Sequence, residues 1–279
     1  MRSFIQSVSV LVVTLAAGAL AGVSPSPARA EGGSVGILVL KEHGVGSAAQ
    51  AQPFLDKFVA LAARQNGWAD GKGQYTTTRP AAEAWIKANK PHYGILSLAA
   101  FLALKDPYRT EVVGQVAVAR GGGAQYFVVS KTATDLAGCK GKALASDHTD
   151  DAKFIEKVVF AGQAKLSDFT LAQTTRPLQT IKKVIADEAA CALIDDAQLA
   201  ELAKIDGGAA VKTVWSSDKL PPMVMVAFPD APAAERKAFS ESLAKLCPAD
   251  PTACTDTGIN SMKSASPADY ATVVAAYAK

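Results

Sequence analysis

Short apolar runs alternate with longer stretches of helical periodicity along most of the chain. Residues 35–40, Val-Gly-Ile-Leu-Val-Leu, are almost wholly apolar and bounded by glycine, which predicts a parallel strand buried on both faces. Residues 49–65 carry Phe54, Phe58, Leu61 and Ala62 at helical spacing and predict a helix with those residues inward. Gly67 to Gly73 breaks the chain, and residues 74–78 are β-prone. Arg79–Pro80 opens a second helix through Lys87, with the proline suited to a first turn. Residues 92–98 read as another buried strand and 99–104 as an apolar helix start. This β-α-β-α-β order is that of a doubly wound sheet.

Two β-rich runs, 112–119 and 125–130, flank Gly121–Gly122–Gly123, a flexible or tightly bent connection. A second α/β series follows, with strands at 142–145, 169–172, 191–194 and 211–215. Its helices lie at 150–161, with Phe154, Val158 and Val159 inward, and at 177–186 and 197–204. After Leu220–Pro221–Pro222 come a strand at 223–227 and closing helices near 233–246 and 267–278. No repeat of solenoid type is present.

The N-terminal stretch changes the picture of where the protein works. Arg2 is followed by an unbroken apolar, small and hydroxyl run from Val8 to Ala21, then Ser24–Pro25–Ser26–Pro27 and Ala28–Arg29–Ala30. This is a secretory signal with an A-x-A site, and it predicts cleavage after Ala30 and a periplasmic mature protein starting at Glu31. Removing residues 1–30 takes away two arginines and no acidic residue, so the formal charge falls from +3 to +1. That balance gives no footprint for nucleic acid or an anionic membrane. Four cysteines, Cys139, Cys191, Cys247 and Cys254, favour disulfides in an exported chain, and three pairings are possible. Cys247 and Cys254 enclose a turn-prone segment with Pro248 and Pro251, and Cys139 and Cys191 flank two strands. The expected bridges are therefore Cys139–Cys191 and Cys247–Cys254.

Catalytic signals are sparse. Gly32–Gly33–Ser34–Val35–Gly36 matches G-x-S-x-G, but it precedes a strand instead of following one, so it carries no hydrolase reading. Of the three histidines, His43 and His92 sit at strand ends without metal-like spacing to another ligand. His148 lies in Asp147–His148–Thr149–Asp150–Asp151, where two readings stand: helix capping by threonine and aspartate, or contact with a ligand or cation. No nucleophile–base pair is assignable by spacing. The reading is of a binding protein with no enzyme activity, no cofactor and no resident metal.

Several segments then align with one family in order and spacing. His92–Tyr93–Gly94–Ile95–Leu96–Ser97–Leu98–Ala99–Ala100–Phe101 stands where that family has D-x-x-x-L-G-P-x-S-Y. Gln125–Tyr126–Phe127–Val128–Val129–Ser130 resembles its crossing strand, and Asp135–Leu136–Ala137–Gly138–Cys139–Lys140–Gly141–Lys142 its S-L-A-D-L-K-G-K. Trp215–Ser216–Ser217 with Leu220–Pro221 resembles W-x-S-x-x-I-P, and Asp269–Tyr270 a C-terminal D-x-D-Y. The chain thus resembles type II periplasmic solute-binding proteins, in the phosphate/phosphite/phosphonate-binding branch of ABC transporters.

The resemblance implies an α/β fold of two Rossmann-like lobes joined by a hinge: lobe 1 at 31–118 plus 218–279, lobe 2 at 119–217. Hinge motion is expected near Gly121–Gln125 and Ser217–Pro222. Ligand is expected in the cleft, outside the carboxyl ends of the strands. The candidate residues are Lys41 and His43 after the first strand, then Ser97, Leu98 and Phe101 after the third. Tyr126 on the crossing strand, Thr149 and Asp150 at a helix start, and Asp195 complete the set. The implied partners are a small-molecule ligand and a membrane permease of an ABC transporter or another transport component, with the protein itself monomeric. Where the family has S-T-S-G, this chain has His148–Thr149–Asp150–Asp151. One phosphonate charge about 5 Å from a carboxylate meets roughly 3 kcal/mol of repulsion at an effective dielectric near 20. The expected ligand is therefore apolar, hydroxylated or cationic, and carriage of a lipid or sterol-like molecule stands as the alternative.

Overall fold

The computed structural model describes residues 34–43, 47–119 and 121–279. The expected signal segment, its cleavage site and the first residues of the mature chain lie outside the described residues. Two mixed sheets form, each flanked by helices.

The first sheet has six strands: β1 (Ser34–Leu40), β2 (Asp70–Thr76), β3 (Tyr93–Leu96), β4 (Glu111–Val118), β10 (Met223–Ala227) and β11 (Ile259–Ser264). Their spatial order is β11-β4-β10-β3-β1-β2. The first three strands pair in parallel, and β10 runs antiparallel between β3 and β4. The alternation along β1 explains its composition. Val35, Ile37 and Val39 point to one face, against Leu55, Phe58, Val59 and Ala62 of α1 (Ala48–Asn66). Leu38 and Leu40 point to the other, towards α2 (Arg79–Asn89) and α3 (Leu98–Leu104). With a helix on each face, no position of the strand can be polar without cost.

Local chemistry fixes these elements. Ser47 caps α1: its hydroxyl accepts from the Gln50 amide at 3.2 Å, and Gln50 returns a bond to the Ser47 N–H. Gly67 ends the helix at φ 66°. A Cβ at Gly71 or Gly73 of β2 would sit 2.6 Å from Val59 or 2.8 Å from Leu55, so glycine lets α1 lie directly on the edge strand. The strand begins at Asp70, inside the stretch read as a break. Phe54 is 40% exposed, contrary to its expected inward position, because the buried stripe runs through Leu55, Phe58, Val59 and Ala62.

The second sheet, of order β7-β6-β8-β5-β9, contains β5 (Tyr126–Ser130), β6 (Ala143–Ser146), β7 (Thr170–Gln173), β8 (Cys191–Asp195) and β9 (Lys212–Ser216). Here β6 pairs in parallel with β7 and β8, and β5 is antiparallel to β8 and β9. One face packs on α5 (Pro177–Ile185) and α6 (Asp196–Leu202). The chain leaves the first sheet after β4 and returns at β10, and the two passages lie side by side. Tyr126 N donates to Ser217 Oγ at 3.0 Å, and Leu220 N to the Ala124 carbonyl at 2.8 Å.

Three segments differ from expectation. The helix read over 150–161 is a single α-helical turn, α4 (Ala152–Phe154), continued by a π-helical turn at Ile155–Val159. Asp151, not Asp150, caps it, through the Phe154 N–H at 2.9 Å. The segment read as a turn between Cys247 and Cys254 is instead the end of α7 (Ala233–Ala249) and the start of α8 (Pro251–Asp256). Asp250 as cap with Pro251 in the first turn was a helix signal of its own. Strand β11 was missed because only Ile259 and Met262 of its six residues are buried.

Both bridges, Cys139–Cys191 and Cys247–Cys254, are present. The chain closes with α9 (Ala271–Ala278), whose Val273 joins Phe101 and Tyr270 in one buried cluster with Ile155, Val158 and Val159 of the π-helical turn. Lys153 also lies over the Tyr277 ring at 4.8 Å. The C-terminal helix therefore packs against the part of the chain that carries the second sheet. No helix among the described residues is long and apolar enough to cross a membrane.

Candidate functional site

A cavity of ≈ 200 Å³ opens where the carboxyl ends of β1, β3 and β8 converge with the two passages between the sheets. Lys41, Glu42 and His43 enter from the end of β1, Ser97 and Leu98 from the start of α3, and Asp195 and Asp196 from the end of β8. Tyr126, Phe154 and His148 come from the second sheet's side, and Gly121–Ala124 and Pro221–Met223 supply the passages. Six of the expected residues thus meet here: Lys41, His43, Ser97, Leu98, Tyr126 and Asp195.

The other three lie elsewhere. Phe101 is fully buried and packs its ring on Tyr270 at 5.6 Å, because the fourth position of α3 points into the core. Thr149 is buried behind the cavity and accepts from Gln173 at 3.5 Å. Asp150 turns outward and meets His43 Nε2 at 3.3 Å. Of the α3 residues, Leu98 and Ala99 reach the cavity, and Val116–Val118 and Pro221–Met223 add further apolar lining.

Charge is arranged in pairs that cross from one sheet's side to the other. Arg79, at the first position of α2, meets Glu42 at 2.7 Å and Asp151 at 2.8 Å. Ser97 donates to Glu42 Oε2 at 3.2 Å while its oxygen accepts from the Ala100 N–H. Burial lowers the Lys41 ammonium below its ordinary pKa, opposed by the nearby Asp195 carboxylate. Burial likewise raises Asp195, against the stabilising effects of His148 and the Gln198 N–H. Tyr126 is pushed far up, first by burial and then by the surrounding carboxylates. His43 is raised: burial opposes its charge, but the Asp150 hydrogen bond and the carboxylates of Asp150, Glu42 and Asp147 outweigh it.

Behind the cavity a polar network fixes one imidazole. Gln198 Nε2 donates to Asp147 Oδ1 at 2.9 Å and to the Pro177 carbonyl at 3.2 Å, both pure acceptors. Its Oε1 therefore faces the Asp195 N–H at 2.9 Å and His148 Nε2 at 2.8 Å. His148 donates from Nε2, and in the neutral ring Nδ1 is then a lone-pair acceptor. That atom is buried without a hydrogen-bond partner among the described residues, and so is Asp147 Oδ2.

Sequence reasoning missed Glu42, Arg79, Asp196 and the Asp147–Gln198–His148 network. One signal was available: a cation at the first position of a helix opposes the macrodipole, so Arg79 needed a partner. The Glu42–Arg79 pair, 37 positions apart, has no local signature.

A scan of the sequence against protein-family models gives no match, and a search of curated proteins gives none that is significant. Solved structures do match. The ATP-bound XAC2383 of Xanthomonas citri superposes with TM-score 0.68 at 11% identity, covering 88% of this chain and 96% of that one. PhnD1 of Prochlorococcus marinus in complex with methylphosphonate gives 0.61 at 10% identity, covering 87% and 96%. The binding-protein component of an ABC phosphonate transporter of Pseudomonas aeruginosa gives 0.60 at 12% identity, covering 85% and 82%. With two mixed sheets, flanking helices and these neighbours, the chain has the α/β fold of two-lobed type II periplasmic binding proteins.

Proposed function

We propose that this protein is an exported solute-binding protein that captures a small ligand between its two sheets and presents it to the permease of an ABC-type transporter. The observation that carries this reading is the position of the cavity: residues from both sheets and from both passages line one space at the strands' carboxyl ends. The hinge is assigned to the passages at 121–125 and 217–222, and the lobes to the segments on either side of them.

The ligand is a small hydroxylated or cationic solute. Asp195 and Asp196 outnumber Lys41 on the cavity wall, and Glu42 and Arg79 are committed to each other, with Asp151 also on Arg79. The repulsion of oxyanions, first placed on Asp150 and Asp151, rests in this reading on Asp195 and Asp196. A space of ≈ 200 Å³ is smaller than the roughly 300–1,000 Å³ of drug-sized sites, which disfavours a sterol-sized cargo. Calorimetry of methylphosphonate with the metal-free protein tests the ligand class. Binding no tighter than about 1 mM, or −4.1 kcal/mol, is expected, and submicromolar binding overturns it.

A further inference from the structure

Two histidines of the cavity wall stand beside a buried aspartate. His43, Asp147 and His148 each bring one ligand-type atom within 4.8 Å of the others. His43 follows β1 of the first sheet, whereas Asp147 and His148 follow β6 of the second. The His43 and His148 rings stand edge to face at 4.7 Å. His43 also adopts φ 58°, a left-handed conformation uncommon for a side chain other than glycine.

Independent of that clustering, two atoms in the set lack partners. His148 is 4% exposed, its Nε2 is held by Gln198, and its Nδ1 has no hydrogen-bond partner among the described residues. Asp147 gives Oδ1 to Gln198 and Thr180, at 2.9 and 2.8 Å, and its Oδ2 is likewise without a partner. A buried acceptor left unsatisfied costs about 1–3 kcal/mol, so a partner at either atom would be stabilising. In the neutral ring Nδ1 accepts, as Oδ2 does, so what satisfies either atom is a cation or a hydrogen-bond donor.

We propose that His43, Asp147 and His148 bind one divalent transition-metal ion across the two sheets. Two imidazoles and a carboxylate suit zinc, nickel or copper, and do not suit magnesium or calcium, which prefer all-oxygen shells. The Gln198 carbonyl oxygen on His148 is the outer partner such a ligand needs to fix its tautomer. Three protein ligands leave a coordination position open, and His43 and His148 face the cavity, where a donor atom of a bound solute can complete the shell. Because the ligands come from both sheets, the ion ties the two sides of the cleft together. This site does not depend on the transport reading: the methylphosphonate titration is made on metal-free protein, so its outcome does not decide whether the three residues bind an ion.

Zinc titration into tag-free, chelator-stripped mature protein tests this, by calorimetry and by metal analysis after gel filtration. One zinc per chain is expected at micromolar or tighter affinity, with magnesium inert. Loss of an outer partner alone lowers metal affinity about 10–100-fold, so His43→Ala and Asp147→Asn are each expected to lower it at least about 100-fold. Circular dichroism verifies that both variants fold. His43 lies on a partly exposed loop, so its variant keeps the test valid even if a change at the buried aspartate unfolds the chain. Zinc affinity unchanged in a folded His43→Ala protein, or wild-type binding weaker than about 1 mM, overturns the proposal.

Discussion

Arg79 and Asp151 form a 2.8 Å ion pair, although one opens a helix on the six-stranded sheet and the other caps a turn beside the five-stranded sheet. The same guanidinium holds Glu42 at 2.7 Å, and the side chains of both carboxylates are under a tenth exposed. This three-residue bridge joins a helix beside the six-stranded sheet to a turn beside the five-stranded sheet.

Arg79→Met leaves both carboxylates without their cation. Removing one partner of a buried pair costs about 3–5 kcal/mol, and because Arg79 is 23% exposed the lower end, about 3 kcal/mol, is expected. Urea unfolding measures it, with Lys204→Ala as a control. That lysine's exposed pair with Glu201 is expected to contribute under about 1 kcal/mol. A loss no larger than the control's contradicts the bridge.

Gly122 supports the site through its lack of a side chain. It has φ 69°, and a Cβ there would lie 2.0 Å from Asp195 Oδ2. Gly122→Ala therefore adds backbone strain of about 1–3 kcal/mol and displaces the carboxylate from the cavity wall. The expected outcome is a lower melting temperature together with weakened solute binding. Binding and stability both equal to wild type would show that Asp195 is not held by this loop.

The two disulfides differ in the length of chain they close. Cys139–Cys191 spans 52 positions and Cys247–Cys254 spans 7, which by loop entropy corresponds to about 4 and about 2.5 kcal/mol. Paired alanine variants, Cys139→Ala with Cys191→Ala and Cys247→Ala with Cys254→Ala, are expected to lose stability in that order on chemical denaturation. The reverse order would show that native-state strain, not loop length, governs them.

What was legible in the sequence depended on how local its cause was. The glycine-bounded run at β1 could be read because both faces of that strand are buried, and the placement of Lys41, Ser97 and Asp195 on one cavity because the strand ends converge there. Phe101 was misplaced because apolar spacing on a seven-residue helix does not say which turn faces the cleft. The pairs Arg79–Glu42 and His43–Asp150 were invisible because each joins residues far apart in sequence that meet only in the fold, the second across the two sheets. The π-helical turn at Ile155–Val159 was likewise hidden, since its apolar residues also fit helical spacing.

Export is the least local expectation. N-terminal sequencing of the protein recovered from the periplasm is expected to begin at Glu31, and a sequence beginning at Met1 would contradict processing after Ala30.

The central claim is that solute binds between the sheets, against Asp195. It is tested most directly by thermal unfolding in the presence of a panel of small amines and polyols, in wild type and in Asp195→Asn. Asparagine still caps α6, so the fold is retained while the charge facing the cavity is lost. At a ligand concentration 100 times Kd, binding stabilises the native state by about 2.7 kcal/mol. At least one solute of the panel is predicted to raise the melting temperature of the wild type by that equivalent and to lose most of the effect in Asp195→Asn. A panel without effect on the wild type, or a shift of equal size in both proteins, would contradict the account.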